Sequence, residues 1–281
     1  MAATECDERS SCPENARASA LRYSDYLRLD RLLAAQRPLS DPPHPDELLF
    51  IIQHQTSELW MKLVLHELMG AGRCLDADEA DQSLKHLARV RLVQRQLFDQ
   101  WAVLETLTPA EYAHFRDGLG NASGFQSFQF RAIECLLGAR EPGLLEGFRN
   151  EPPSHAQLRE LFEAPALFDV FLRYLARQGY ALPRHCTERD WREPRKPDEA
   201  VTRVLLEVYQ QPDAHWAAYA LCERFMDLEE QFQLWRFRHV RTVERIIGHK
   251  PGTGGTSGVS YLESTVGRRF FPELIDVRTL L

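Results

Sequence analysis

From Asp213 to Ile247 the chain contains neither proline nor glycine, and around His239 the residues Phe232, Trp235, Val243 and Ile246 recur at helical spacings. Asp213 supplies a capping side chain, so the segment is predicted to be one helix of close to nine turns at 3.6 residues per turn. The rest of the sequence has the same character. No alternating strand series with hairpin turns appears and no repeat period is visible, so the predicted fold class is all-α.

Other helices announce their ends chemically. Pro45, Asp46 and Glu47 are start signals for an apolar run from Leu48 to Met69, which Gly70 is expected to close. Leu84, Leu87, Leu97, Phe98, Trp101 and Leu104 mark a second long helix over roughly residues 80–107. Thr108-Pro109-Ala110-Glu111 restarts the chain as a capping box with proline in its first turn. Phe125–Leu137 is helical in pattern, Ser154 with Gln157 forms a second capping-box signature, and Leu167–Gln178 ends at Gly179. Pro197 is expected to open a helix that stops before Pro212. Before all of these, residues 21–33 form a short amphipathic segment, followed by a loop holding four prolines, Pro38, Pro42, Pro43 and Pro45. Residues 1–20 are polar and aperiodic and are read as a disordered arm, with 21–281 as one helical domain.

Composition limits the partners. At 281 residues and 44% hydrophobic content the chain can bury a core unaided. Its formal charge of −7 is spread among interspersed carboxylates and basic residues, which offers no field for nucleic acid or an anionic membrane. A small-molecule partner is the better default. The six cysteines are scattered without a CxxC pair, against both a zinc ribbon and a disulfide framework. The beginning of the chain lacks a secretory pattern, and no stretch approaches the ~18 apolar residues of a membrane span, so a cytoplasmic location is expected.

Three groups of residues could carry chemistry. His239 faces an apolar wall, where a neutral imidazole suits an iron ligand and the wall suits a porphyrin; a core histidine bonded to a carbonyl would leave the same pattern. Phe50, His54 and Glu58 are each four apart and share a helix face, where His54 can orient or exchange a proton or be half-buried packing. No zinc triad accompanies them, since HExxH is absent. Tyr112 and Arg116 are also four apart, and a guanidinium there can hold a carboxylate by two parallel bonds or pair with Glu111 or Asp117 at the surface. Two glycine-bearing segments, Gly120–Gly124 and Gly252–Gly258, contain Ser123, Thr253, Thr256 and Ser257 and match neither a Walker loop nor a dinucleotide fingerprint.

In order along the chain stand YSDYLRLDRLLAAQRPLS, HPDELLFIIQHQTSELWMKL, GLGNASGFQSFQFRAIE, WRFRHV and GTGGTSGVSYL. Together they resemble the tryptophan 2,3-dioxygenase family, from about residue 21 to residue 265, while residues 1–20 and roughly 140–196 carry little that matches. The resemblance implies a helical bundle enclosing one haem b per subunit, with His239 as the proximal iron ligand. It implies insertion of dioxygen across the indole C2–C3 bond of L-tryptophan to give N-formyl-L-kynurenine, the first step of the kynurenine pathway.

By the same matching, His54 is the distal histidine that accepts the indole N–H, and Phe50 packs beside the indole ring. Arg116 clamps the substrate carboxylate, Tyr112 lines that pocket, and Thr253 lies near carboxylate and ammonium. Ser123, Gly124 and Trp101 fall to the surroundings of the cofactor. Tyr23, Tyr26 and Leu27 match an amino-terminal segment that the family lends to a neighbouring subunit, which implies a homotetramer built as a dimer of dimers.

Two other classes stay open on the residues alone. A haem sensor or carrier would use His239 without reading carboxylate and ammonium, and a cofactor-free helical interaction protein would treat every histidine above as core. Within the enzyme class, the broader indoleamine 2,3-dioxygenases perform the same oxidation; a histidine at position 54 favours the tryptophan-specific branch.

Overall fold

The computed structural model describes residues 21–141 and 143–281, and the chain divides after Arg37 into two compact units. The polar arm at residues 1–20 lies outside the described residues. In the first unit, α1 (Tyr23–Leu27) and α2 (Leu29–Leu32) are separated by Arg28, whose φ of 53° interrupts the helix. Neither short helix buries a residue.

The second unit, from Pro38 onward, is built on three long helices. These are α3 (Pro45–Asp76), α4 (Ala80–Asp99) and the later α13 (Trp216–Ile247), with α4 packed against both of the others. Between α4 and α13 run α5 (Trp101–Leu104), α6 (Pro109–Arg116), α7 (Phe128–Leu137), α8 (Gly143–Glu146), α9 (Pro152–Glu163), α10 (Leu167–Arg177), α11 (Arg184–Thr187) and α12 (Glu199–Gln210). α14 (Val259–Val266) and α15 (Pro272–Leu280) complete the chain. No strand occurs among the described residues, as the absence of alternation predicts, and no helix among them is long and apolar enough to cross a membrane.

The start of α3 shows how local chemistry sets the scaffold. Pro45 occupies the first turn, and the His44 ring accepts the Asp46 amide at 3.3 Å. Glu47 is buried and turns back to accept the amides of Leu39 and Ser40 at 2.7 and 3.0 Å and the Ser40 hydroxyl at 2.5 Å. Burial pushes its pKa up, but these bonds outweigh that and hold the carboxyl low. The proline-rich loop is thereby fastened to the helix that will carry His54.

Five predicted boundaries differ. α3 continues through Gly70 to Asp76 instead of ending there, because Gly70 is a packing glycine: a Cβ would lie 2.7 Å from the His86 ring of α4. Ser154 does not cap α9, since Pro152 and Pro153 already stand in its first turn. α12 is capped by the Asp198 side chain accepting Ala200 N at 2.8 Å, one residue after Pro197. α13 begins at Trp216, beyond Asp213, and runs to Ile247 as expected. The predicted second helix is broken at Gln100 into α4 and α5.

The main core joins α3, α4, α10, α12, α13 and α15, with Phe168, Phe171, Phe225 and Phe271 fully buried at ring-centroid separations of 5.0–5.7 Å. Burying each such ring contributes about 1.5–3 kcal/mol, so α10 and α15 brace α13. A second cluster of Trp101, Leu104, Leu107, Tyr112, Phe115 and Ile246 closes one end of the space between α3 and α13.

Gly70→Ala tests the close crossing of α3 and α4. Alanine gains about 1 kcal/mol of helix propensity, whereas overpacking costs about 1–3 kcal/mol, and His86 cannot easily yield because its Nδ1 is held by the buried Glu67 carboxylate at 2.6 Å. Urea unfolding should show a net loss of stability; an unchanged or raised midpoint would contradict the packing role.

Candidate functional site

A largely apolar cavity, about 1610 Å³ including its open mouth, lies between α3 and α13 and is roofed by α5, α6 and the glycine-bearing segments. Its lining is mostly apolar and aromatic with a few convergent polar groups, the character of a small-molecule or cofactor site. Nine of the site residues implied by the resemblance line it: Phe50, His54, Trp101, Tyr112, Arg116, Ser123, Gly124, His239 and Thr253. Tyr23, Tyr26 and Leu27 are not among the lining residues; they belong to the first unit, where both tyrosines are over 70% exposed.

On the α13 side, the His239 ring stacks on Trp101 at a centroid distance of 4.9 Å and an interplanar angle of 16°, with Trp235 at 5.1 Å. Burial in this aromatic wall, and then the nearby charge of a protonated His54, lower its pKa to about 4. The imidazole is therefore neutral at physiological pH, the state that a metal requires of it.

The α3 side presents the other histidine. His54 Nδ1 lies 2.7 Å from the Phe50 carbonyl. A carbonyl only accepts, so Nδ1 carries the proton. Burial lowers the His54 pKa, against the opposing pull of that bond and of Glu58, which leaves the ring neutral and Nε2 free as an acceptor. Although the ring is open to the cavity, protein surrounds it, and it is that enclosure which disfavours the charge. Phe50 lies 4.2 Å from His54 and 5.7 Å from Tyr112 by ring centroids, so the three form one aromatic wall.

Arg116 projects from the end of α6 and donates to the Pro251 carbonyl at 2.6 Å, not to Glu111 or Asp117 as a surface pair would. Glu111 is instead occupied in the capping box with Thr108. Thr253 donates to the Ala122 carbonyl at 2.6 Å, and a Cβ on Gly254 would sit 2.7 Å from Ser123, so the two glycine-bearing segments touch. Gly258, at φ 64°, could not hold a side chain either: its Cβ would fall 2.5 Å from the Lys250 carbonyl. Gly124 differs, since a Cβ there would meet no protein atom within 4 Å; packing does not demand a glycine at that point of the lining.

Some lining groups escaped the sequence reading. Arg131 and the buried Glu134 and Arg236 form a charged trio, with Glu134 bonded to Arg131 at 2.5 Å and to Arg236 at 3.3 Å. The signal was present, because Arg236 is three residues before His239 on α13 and Arg131 three before Glu134 on α7. Gln53 is a further lining residue, adjacent to His54.

The donor set answers whether a haem fits. Trp101 Nε1, Trp235 Nε1, Gln53 Nε2 and Arg116 Nε are buried, line the cavity and have no hydrogen-bond partner. Each unmatched buried donor costs about 1–3 kcal/mol. All four are donors, so they suit a ligand rich in acceptors at its edge, as a porphyrin with its carboxylates is. The neutral His239 and the aromatic wall suit its iron and its ring.

Comparison with known proteins agrees with this geometry. The profile of the family described as tryptophan 2,3-dioxygenase matches residues 7–149 and 193–281. The tryptophan 2,3-dioxygenase of Myxococcus xanthus (strain DK1622) is 56% identical over 94% of this chain and 91% of its own length. Those of Serratia proteamaculans (strain 568) and Xanthomonas euvesicatoria pv. vesicatoria (strain 85-10) are 54% and 57% identical over 92% of this chain, covering 92% and 87% of theirs. With its two histidines facing one cavity, and with this extent of matching, the chain belongs to the tryptophan 2,3-dioxygenase family.

Proposed function

We propose that the chain is one subunit of a haem-dependent dioxygenase that converts L-tryptophan and dioxygen to N-formyl-L-kynurenine, opening tryptophan catabolism by the kynurenine pathway. The observation that carries this reading is the pairing of two neutral histidines on one cavity, His239 within an aromatic wall and His54 with Nε2 free. Family membership supports it. One haem b per subunit, when bound, supplies the redox-active iron by which dioxygen is activated for insertion across the indole C2–C3 bond.

The residues of the chain do the rest. His239 is the iron ligand, and Trp101 fixes its ring by stacking while Ser123 and Gly124 line the cofactor's surroundings. His54 Nε2 accepts the indole N–H and so sets the ring's position; an indole proton is too weakly acidic for easy removal, so orientation is its first role. Phe50 packs on the indole. Arg116 exchanges its bond to the Pro251 carbonyl for the substrate carboxylate, beside Tyr112, and Thr253 serves the carboxylate and ammonium. Reading both poles makes a ligand that lacks either one leave buried groups unpaired.

Tyr23, Tyr26 and Leu27 complete the site of a neighbouring subunit in a homotetramer arranged as a dimer of dimers. Their exposure supports this, because three apolar side chains close together in sequence and open to solvent are better placed against a partner. The scattered charge supports a cytoplasmic enzyme of small molecules without nucleic-acid or membrane partners.

Ferrous protein mixed with oxygen and L-tryptophan should steadily produce a formylated aryl ketone, followed optically; a Soret band without turnover would favour a sensor or carrier instead. His54→Ala should keep its haem and lose turnover, whereas His239→Ala should lose the haem. Equal haem loss in both would refute the division of roles.

Arg116→Lys replaces a two-bond fork by a point charge, so tryptophan binding should weaken by about tenfold or more while indole binding changes little. Equal losses would argue against a carboxylate clamp. For His54, acid should protonate Nε2 and remove the acceptor. Since the folded pKa lies below the ordinary 6.5, tryptophan affinity should hold through neutral pH and fall only below 6.5, and this fall should vanish in His54→Ala. A wild-type midpoint above 6.5 would contradict the neutral acceptor.

A further inference from the structure

Away from the cavity, His185 and Cys186 on α11 meet Asp198, the cap of α12, with one nitrogen, one sulfur and one oxygen all within 4.8 Å of one another. We propose that His185, Cys186 and Asp198 form a zinc site, with three protein ligands and a water as the fourth, that ties α11 to the start of α12. Nothing in the family resemblance points here: His185 and Cys186 fall in residues 150–192, which the family profile leaves unmatched, and none of the three lines the cavity.

The chemistry of the donors selects the ion. An imidazole, a thiolate and a carboxylate together suit zinc, which takes sulfur, nitrogen and oxygen in a tetrahedron, and do not suit magnesium or calcium, which take oxygen alone. The donors are also preassembled. His185 Nε2 lies 2.8 Å from Asp198 Oδ2, Asp198 Oδ1 is fixed by the Ala200 amide at 2.8 Å, and the Cys186 sulfur lies within 4.8 Å of both ligand atoms. Cys186 is buried, and its position in the main core holds it still.

Binding exchanges protons for metal. Burial and the adjoining Asp198 push the Cys186 pKa up to about 11, so the group is a thiol, and forming the Zn–S bond releases its proton to solvent while the imidazole binds through its neutral form. Thiolate and carboxylate then balance the two charges of the ion. The nearby Arg195 does not oppose this, because its guanidinium donates from both terminal nitrogens, Nη1 and Nη2, to the buried Glu273 of α15. Glu273 also accepts the Asp198 amide at 3.3 Å, so the site is continuous with the brace that α15 gives to α12.

The test uses the haem-loaded protein, stripped with a chelator and dialysed against buffered zinc. Elemental analysis should give one zinc per chain, and zinc X-ray absorption should show one sulfur at about 2.3 Å with lighter ligands at about 2.0–2.2 Å, a shell the cysteine-free cavity cannot supply. His185→Ala and Cys186→Ser should each weaken zinc binding by more than tenfold. The exposed His185 ring can be removed without disturbing the core, so that variant decides the matter if Cys186→Ser alters packing. Failure to retain stoichiometric zinc, a shell without sulfur, or full affinity in His185→Ala would overturn the proposal.

Discussion

The contact between the His239 imidazole and the indole of Trp101 is the constraint on which the site rests. A histidine in water is divided between charged and neutral forms near pH 6.5, and the charged form cannot ligate. Enclosure by Trp101 and Trp235 settles this by making charge costly, and it orients the ring at the same time. α5 supplies Trp101 and α13 supplies both His239 and Trp235, so the break at Gln100 that separates α5 from α4 has a use: it lets a short helix turn its indole onto the helix that carries His239.

Across the cavity a second neutral histidine is made by a different route. Its Nδ1 proton is committed to the Phe50 carbonyl one turn earlier on α3, which leaves one ring nitrogen with a lone pair. The polar end of the cavity is arranged by loop contacts instead of helix packing. Arg116 on Pro251, Thr253 on Ala122 and Gly254 against Ser123 bring two distant glycine-bearing segments together, so the groups proposed to read the amino-acid backbone share one small region. The apolar body thus rests mainly on helix packing and the polar end on loop contacts, with α6 joining the two through Tyr112 and Arg116.

Much of this was readable from the sequence because it depends on periodicity and on end chemistry. The long α13, the capping box at Thr108, the proline start of α3, and the positions of His54, Arg116 and His239 follow from spacing and from the motif strings. The failures share a cause, which is tertiary contact. Gly70 looks like a stop until the His86 ring is seen against it, and Ser154 looks like a cap until two prolines take the first turn. Arg131, Glu134 and Arg236 carry no motif, and only the fold brings the α7 pair beside Arg236 of α13. His185, Cys186 and Asp198 follow no familiar ligand spacing, since eleven residues separate the last two and only the fold closes that distance.

The central claim, that His239 ligates a haem iron, is tested most directly by resonance Raman spectroscopy of the ferrous protein. An iron–histidine stretching band that moves to lower frequency when histidine is labelled with ¹⁵N, and that is absent from His239→Gly until imidazole is supplied, is the predicted result. A band that persists unchanged in His239→Gly, or a haem-containing wild-type protein that shows no iron–histidine vibration, would contradict the account.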